Sequence, residues 1–166
     1  DLAIVELEEA QRLSPQKQTI LFELANAHVN KQEFSKALPY LEKAYTSDPS
    51  YDKAAVTYLA GLIFAGRTTE AAAFEKERFT APPVDDVLVN AYVATKDYRR
   101  LAALWQERIR REPTNGQYHV SLAATYLALG ERTKAVTSIE EAVRLSPSFK
   151  DQGTFYIKEI KAGRNP

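Results

Sequence analysis

Apolar residues recur along this chain at helical spacing. Leu24, Ala25 and His28, and again Leu122, Ala123 and Tyr126, fall at i, i+1 and i+4, so each set lies on one face of a helix with polar residues on the others. A second pattern places a small residue, a large apolar one four later, a small one three later, and a proline five beyond. It reads Ala3, Leu7, Ala10, Pro15, then Ala37, Leu41, Ala44, Pro49, and then Ala135, Ile139, Ala142, Pro147. Pro15 and Pro49, Pro49 and Pro83, and Pro113 and Pro147 are each 34 residues apart, which makes the chain a repeat. Gly66 and Gly130 stand where the first helix of a pair must stop and the chain reverse.

These patterns predict a lone helix near 2–13, helix pairs at about 17–47, 51–80, 84–112 and 115–145, and a closing helix near 149–162, about ten helices in all. We read one domain over 1–166: a half repeat at 1–15, repeats at 18–49, 52–83, 84–113 and 116–147, and a closing helix within 148–166. Connections of a few residues suit antiparallel neighbours packed in sequence order.

Two repeats depart from the pattern. Glu75 and Arg78 occupy the large and small slots of the second helix in 52–83, where Phe74 and Phe79 supply apolar surface after a slight rotation. Pro83 lies five residues before Leu88, against nine from Pro15 to Leu24, Pro49 to Tyr58 and Pro113 to Leu122. Four missing residues are about one helical turn, so the helix after Pro83 should start late or its predecessor end early. Pro39 falls inside a predicted helix, where it removes a hydrogen bond and predicts a mild kink.

The slots resemble those of the tetratricopeptide family: a large apolar, Leu, small, aromatic series on the first helix, and Ala, large apolar, Ala, Pro on the second. That resemblance covers nearly the whole chain. It implies an all-α, right-handed α-solenoid of antiparallel helix pairs whose first helices line a concave binding surface. If Leu24, Ala25 and His28 face the partner helix, the opposite side carries Thr19, Phe22, Glu23, Asn26 and Asn30. By offset, the later first helices present Lys53, Val56, Thr57, Ala60 and Phe64; Asp86, Asn90 and Val93; and Gln117, Val120, Ser121, Ala124 and Leu127.

Asn26 and Asn90 share one slot in two repeats, where the resemblance implies an amide that donates to and accepts from an extended peptide backbone. Phe22, Phe64 and Val56 either form apolar pockets or pack between first helices. Family members that bind chaperones clamp a terminal carboxylate with lysine, asparagine and arginine. Here those positions hold Phe22, Thr57 and Val87, and only Asn26 matches, so that ligand does not transfer.

Composition narrows the classes of function. Basic and acidic residues balance at 22 each, so no net field draws the chain to nucleic acid or an anionic membrane. Cysteine is absent, which removes disulfides and cysteine-based zinc sites. The apolar stretches are interrupted by charge and fall short of the roughly 20 residues that span a bilayer, so a soluble domain is expected. The first residue is Asp1 and methionine is absent, which suggests a piece of a longer protein with its first helix lacking a neighbour.

Candidate chemistry adds little. His28 and His119 occupy packing slots, Trp105 fills a large-apolar slot, and Glu8, Glu9, Glu140 and Glu141 lie on solvated faces. No phosphate loop, catalytic triad or metal-ligand spacing is present, so no catalytic residue, metal or cofactor is expected and the chain reads as a non-enzyme. Arg99, Arg100, Arg108, Arg110 and Arg111 concentrate charge on one helix without aromatics interleaved for base stacking, so nucleic acid is not an expected partner.

The expected function is a protein-interaction scaffold holding an extended peptide or partner segment, as an accessory domain of a larger bacterial protein. The alternative is an architectural module that self-associates through the exposed half repeat or packs on its own parent chain. A second resemblance, carried by 153–163 and by Ser121 to Ala124, is to repeat tails of bacterial O-antigen ligase and polymerase membrane proteins. It implies an envelope glycan enzyme as the membrane-protein parent.

Overall fold

A computed structural model describes residues 2–166; the expectations attached to Asp1 lie outside the described residues. Ten α-helices follow in order: α1 (Leu2–Leu13), α2 (Gln18–Asn30), α3 (Phe34–Ser47), α4 (Asp52–Phe64), α5 (Thr68–Arg78), α6 (Asp86–Ala94), α7 (Tyr98–Arg111), α8 (Gly116–Ala128), α9 (Arg132–Leu145) and α10 (Lys150–Lys161), the last preceded by a single 3-10 turn at Pro147–Phe149. There is no strand among the described residues. The chain divides into two compact units, Asp1–Thr95 and Lys96–Pro166, so α6 and α7, which the sequence pairs in 84–113, fall in different units.

In the first unit α2 packs on α1 and α3, and α4 packs on α3, α5 and α6. Because three helices pack on α4, most of its turns are apolar, with Ala54, Ala55, Val56, Leu59, Ala60, Leu62 and Ile63 all buried, while Asp52 and Lys53 at its start are exposed. Leu21, Leu24, Leu59, Leu62 and Leu88 are the largest wholly enclosed side chains, each worth about 2 kcal/mol of burial. The slots read from the sequence as helix-facing, including Leu24, Ala25, His28, Ala37, Leu41 and Ala44, are buried here.

The second unit is α7 to α10. Ala102, Leu122, Ala123, Tyr126, Ala135, Val136, Ile139 and Ile160 form its core, with Trp105 packed at the margin. Trp105 and Tyr118 lie 6.0 Å apart, and the Arg108 guanidinium sits 4.8 Å from the Trp105 ring centre and 5.6 Å from that of Tyr118. Gly153 lets α10 approach α9, since a Cβ there would stand 2.3 Å from Val143 Cγ2.

Within each hairpin the turn recurs. Gly66 and Gly130 take φ of 72° and 76°, with the following amide donating to the carbonyl five residues back, Arg67 N to Leu62 O at 2.9 Å and Glu131 N to Tyr126 O at 2.8 Å. Gln32 adopts the same conformation at φ 60°, with Glu33 N to His28 O at 2.9 Å, and Lys96 sits at φ 57°. Gly163, after α10, repeats the turn at φ 83°.

Both consequences foreseen for the lost turn occur. α5 has 11 residues where α3, α7 and α9 have 14, and α6 has nine where α2, α4 and α8 have 13. Residues 79–85 are therefore free of helix, whereas the corresponding connections are 14–17, 48–51 and 112–115. Asp85 caps the shortened α6, its carboxylate accepting from Val87 N at 2.9 Å. Phe74 supplies packing beside the polar Glu75, contacting Tyr45, Tyr58 and Phe79. Pro39 lies within α3.

Candidate functional site

The first helices of the first unit, α2, α4 and α6, carry most of the sequence-derived groove set. On α2, Thr19, Glu23, Asn26 and Asn30 are exposed, while Phe22 is half-buried against the cluster of Ala25, Ala37 and Leu41. On α6, Asp86, Asn90 and Val93 are exposed, Val93 at 50%. The amides of Asn26 and Asn90 have no protein partner among the described residues, so their donors and acceptors are available.

On α4 the set needs correction. Val56 is 7% exposed and Ala60 1%, in a helix on which α3, α5 and α6 all pack. Phe64 is stacked on Phe34 at 5.0 Å and is thus engaged in packing between α3 and α4. Thr57 is half-buried and its hydroxyl donates to Lys53 O at 2.7 Å, which leaves it a backbone role. Lys53 is exposed and reaches the Asp85 carboxylate at 3.0 Å, tying α4 to the start of α6.

On α8, in the second unit, Gln117 and Ala124 are exposed and Val120, Ser121 and Leu127 are half-buried. The Ser121 carbonyl accepts from Thr125 Oγ1 at 2.8 Å.

The charged and aromatic residues expected to be structural sort as follows. His28 is buried, parallel to the Tyr40 ring at 5.7 Å, and its Nδ1 is 2.8 Å from Glu33 Oε2. This hydrogen bond, and next Lys36, hold the Glu33 carboxyl at about 2. His119 is half-buried. On the basic helix, Arg110 and Arg111 both pair with Glu107 at 2.7 and 2.8 Å, holding its carboxyl at about 2, and Arg100 pairs with Asp97.

The first unit also holds clefts that the repeat slots do not predict, two of them formed between second helices. One, of about 730 Å³, lies between α1 and α3 over the end of α2 and is lined by Ile4, Val5, Glu8, His28, Glu33 and Tyr40 among others. Burial, and then Glu8, push the Tyr40 phenol upward. The other, of about 360 Å³, lies between α3 and α5, with Tyr45, Tyr58 and Phe74 as its walls. The signal for both is the set of second-helix residues outside the packing slots, such as Glu8 and Tyr40 or Glu42 and Phe74, which recur at the repeat period. Among the described residues no helix is long and apolar enough to cross a membrane.

A family model described as tetratricopeptide repeat matches residues 1–52 and again 22–82, and a second of the same description matches 116–149. Among solved structures the chain is similar to MamA, residue 41 to its end, from Desulfovibrio magneticus RS-1, at 19% identity over 88% of this chain and 85% of that one, with a TM-score of 0.60. It is similar also to the MamA RS-1 ArsTM double mutant, at 19% identity over 88% and 84% with a TM-score of 0.59. A crystal structure of MamA protein shares 16% identity over 89% and 88% with a TM-score of 0.52. At these identities the likeness is one of fold. No curated protein is significantly similar to the chain in sequence.

Proposed function

The chain belongs to the tetratricopeptide repeat family, and from that premise we propose a non-catalytic scaffold that holds an extended segment of a partner protein along the exposed faces of α2 and α6. A protein-interaction scaffold is the reading that membership and fold support. The observation that carries the finer reading is the pair Asn26 and Asn90: equivalent slots, both exposed, both with unengaged amides among the described residues. An extended peptide offers unpaired backbone N–H and C=O groups at regular intervals, and a primary amide satisfies one of each. Thr19, Glu23, Asn30 and Asp86 line the same faces and set a polar, mildly acidic environment. On α8, Gln117, Val120 and Ser121 form a separate patch of the second unit.

The test is a selection of peptides from a random display library against the chain, followed by titration into the Asn26→Ala and Asn90→Ala variants. The reading expects each variant to lose about tenfold in affinity, as for one or two hydrogen bonds. Selected peptides that bind both variants unchanged would sink it.

A second reading is architectural, and α1 favours it. This helix has no buried side chain, and Leu2, Val5 and Leu13 are 73%, 60% and 70% exposed. Such a face suits a second copy or the remainder of a parent chain. Sedimentation across a concentration series would register the first as a rising mass, abolished by Leu2→Glu with Val5→Glu. The membrane-protein parent rests on the resemblance in 153–163 and in Ser121 to Ala124, and a full-length gene with about a dozen apolar spans of roughly 20 residues upstream would support it.

A further inference from the structure

We propose that the crevice between α3 and α5 is a second binding site, which takes a cationic side chain of a protein partner, lysine or arginine, between aromatic walls and a carboxylate rim. Glu42 and Tyr45 are three residues apart on α3, and Phe74 and Glu77 three apart on α5, so each helix presents one aromatic and one acid on a single face. Tyr58 of α4 closes the floor. The rings are mutually packed: Tyr45 and Tyr58 are parallel with centres 5.6 Å apart, and Phe74 stands edge-on to both at 5.0 Å. Their half-buried positions leave part of each ring on the wall of a cleft of about 360 Å³.

Charge selects the occupant. Glu42 and Glu77 are exposed on the rim and carry no ion pair or hydrogen bond among the described residues. Elsewhere in the chain carboxylates are paired locally, Glu9 with Arg12, Glu33 with Lys36, Glu70 with Arg67 and Glu107 with Arg110. The one cation lining the crevice, Arg78, is committed to Asp52 at 2.6 Å and lies over Phe79 rather than over the three rings. Glu42 is felt inside: after burial, it is the next cause that raises the Tyr58 phenol, ahead of the opposing Arg67, whose guanidinium pairs with Glu70. An anion would meet two carboxylates that hold no ion pair among the described residues, and a purely apolar group would leave them unused. A cation on an apolar stem satisfies both features, its stem against the rings and its head over a ring face or at the rim. The site stands on second-helix residues and on α4's Tyr58, so it is independent of Asn26 and Asn90.

The experiment titrates the whole chain with three blocked amino acids, the N-acetyl N-methylamides of lysine, arginine and norleucine, and follows the aromatic resonances of Tyr45, Tyr58 and Phe74. Norleucine reproduces the lysine stem without charge. The expected result is saturable shifts with a cationic probe, at least about fivefold weaker binding of norleucine, and a comparable loss in a Glu42→Gln, Glu77→Gln double variant, whose changes are confined to solvated carboxylates. Phe74→Leu, which keeps an apolar filler, should weaken the cationic probe and spare norleucine. Equal binding of norleucine, an unchanged double variant, or no movement of these resonances up to about 50 mM probe would each overturn the proposal.

Discussion

His28 and Glu33 are joined across the turn between α2 and α3, Nδ1 to Oε2 at 2.8 Å, with the imidazole buried and the carboxylate half-exposed. A carboxylate only accepts, so Nδ1 carries the proton. The Glu33 carboxyl is held at about 2, below its ordinary 4.5, first by this bond and then by Lys36. A depressed acid contributes stability that is fully present above the unfolded value and lost as pH falls through the folded one. The melting temperature should therefore drop between pH 4.5 and 2, and Glu33→Gln should flatten that limb. Carbon-detected titration of the Glu33 carboxyl checks the cause directly: a midpoint near 4.5 refutes it.

Gln32 and Lys96 hold left-handed backbone that Gly66 and Gly130 hold at equivalent turns. For an L-residue this conformation costs about 1–2 kcal/mol, offset in part by the greater unfolded-state entropy of glycine. Gln32→Gly and Lys96→Gly should each stabilise by about 0.5–1 kcal/mol, read as a higher denaturant midpoint. Gly66→Ala, with open space around its Cβ, should destabilise by strain alone, about 1 kcal/mol.

Gly153 is a contact rather than a turn. Its added Cβ would meet Val143 Cγ2 at 2.3 Å and Phe149 Cε1 at 3.2 Å, and the β-branched valine has little freedom to yield. Gly153→Ala should cost about 1–3 kcal/mol despite its gain in helix propensity. Adding Val143→Ala should recover much of that loss relative to Val143→Ala alone, a coupling that denaturation of the double-mutant cycle measures.

The Asp85 carboxylate accepts from the amide of Val87 and from the ammonium of Lys53. Asp85→Ala should cost about 1 kcal/mol through the cap, while Asp85→Asn keeps the cap and weakens the exposed ion pair, worth under about 1 kcal/mol. Chemical denaturation of the two variants separates the roles; equal losses would assign the effect to the ion pair.

The helices and their packing faces were legible because the repeat states each slot several times: Ala37, Leu41 and Ala44 are confirmed by Ala135, Ile139 and Ala142. The deficit after Pro83 was legible for the same reason. What stayed hidden depends on neighbours. Val56 and Ala60 read as surface by offset from α2, and are buried in a helix on which α3, α5 and α6 all pack. Gln32 and Lys96 adopt glycine's conformation without being glycine, since the hairpin geometry overrides local preference. The repeat period marks Glu42 and Phe74 as second-helix residues outside the packing slots, but that Tyr45 and Tyr58 meet Phe74 from two other helices is a matter of tertiary packing.

Within the first unit, α5 and α6 each pack on α4 and not on one another. Either can detach while α4 stays, but α4 cannot leave without releasing both. Amide hydrogen exchange should therefore be hierarchical there: α5 and α6 open through separate low-energy excursions, and the slowest-exchanging amides belong to α4, whose opening coincides with the cooperative melting of its neighbours.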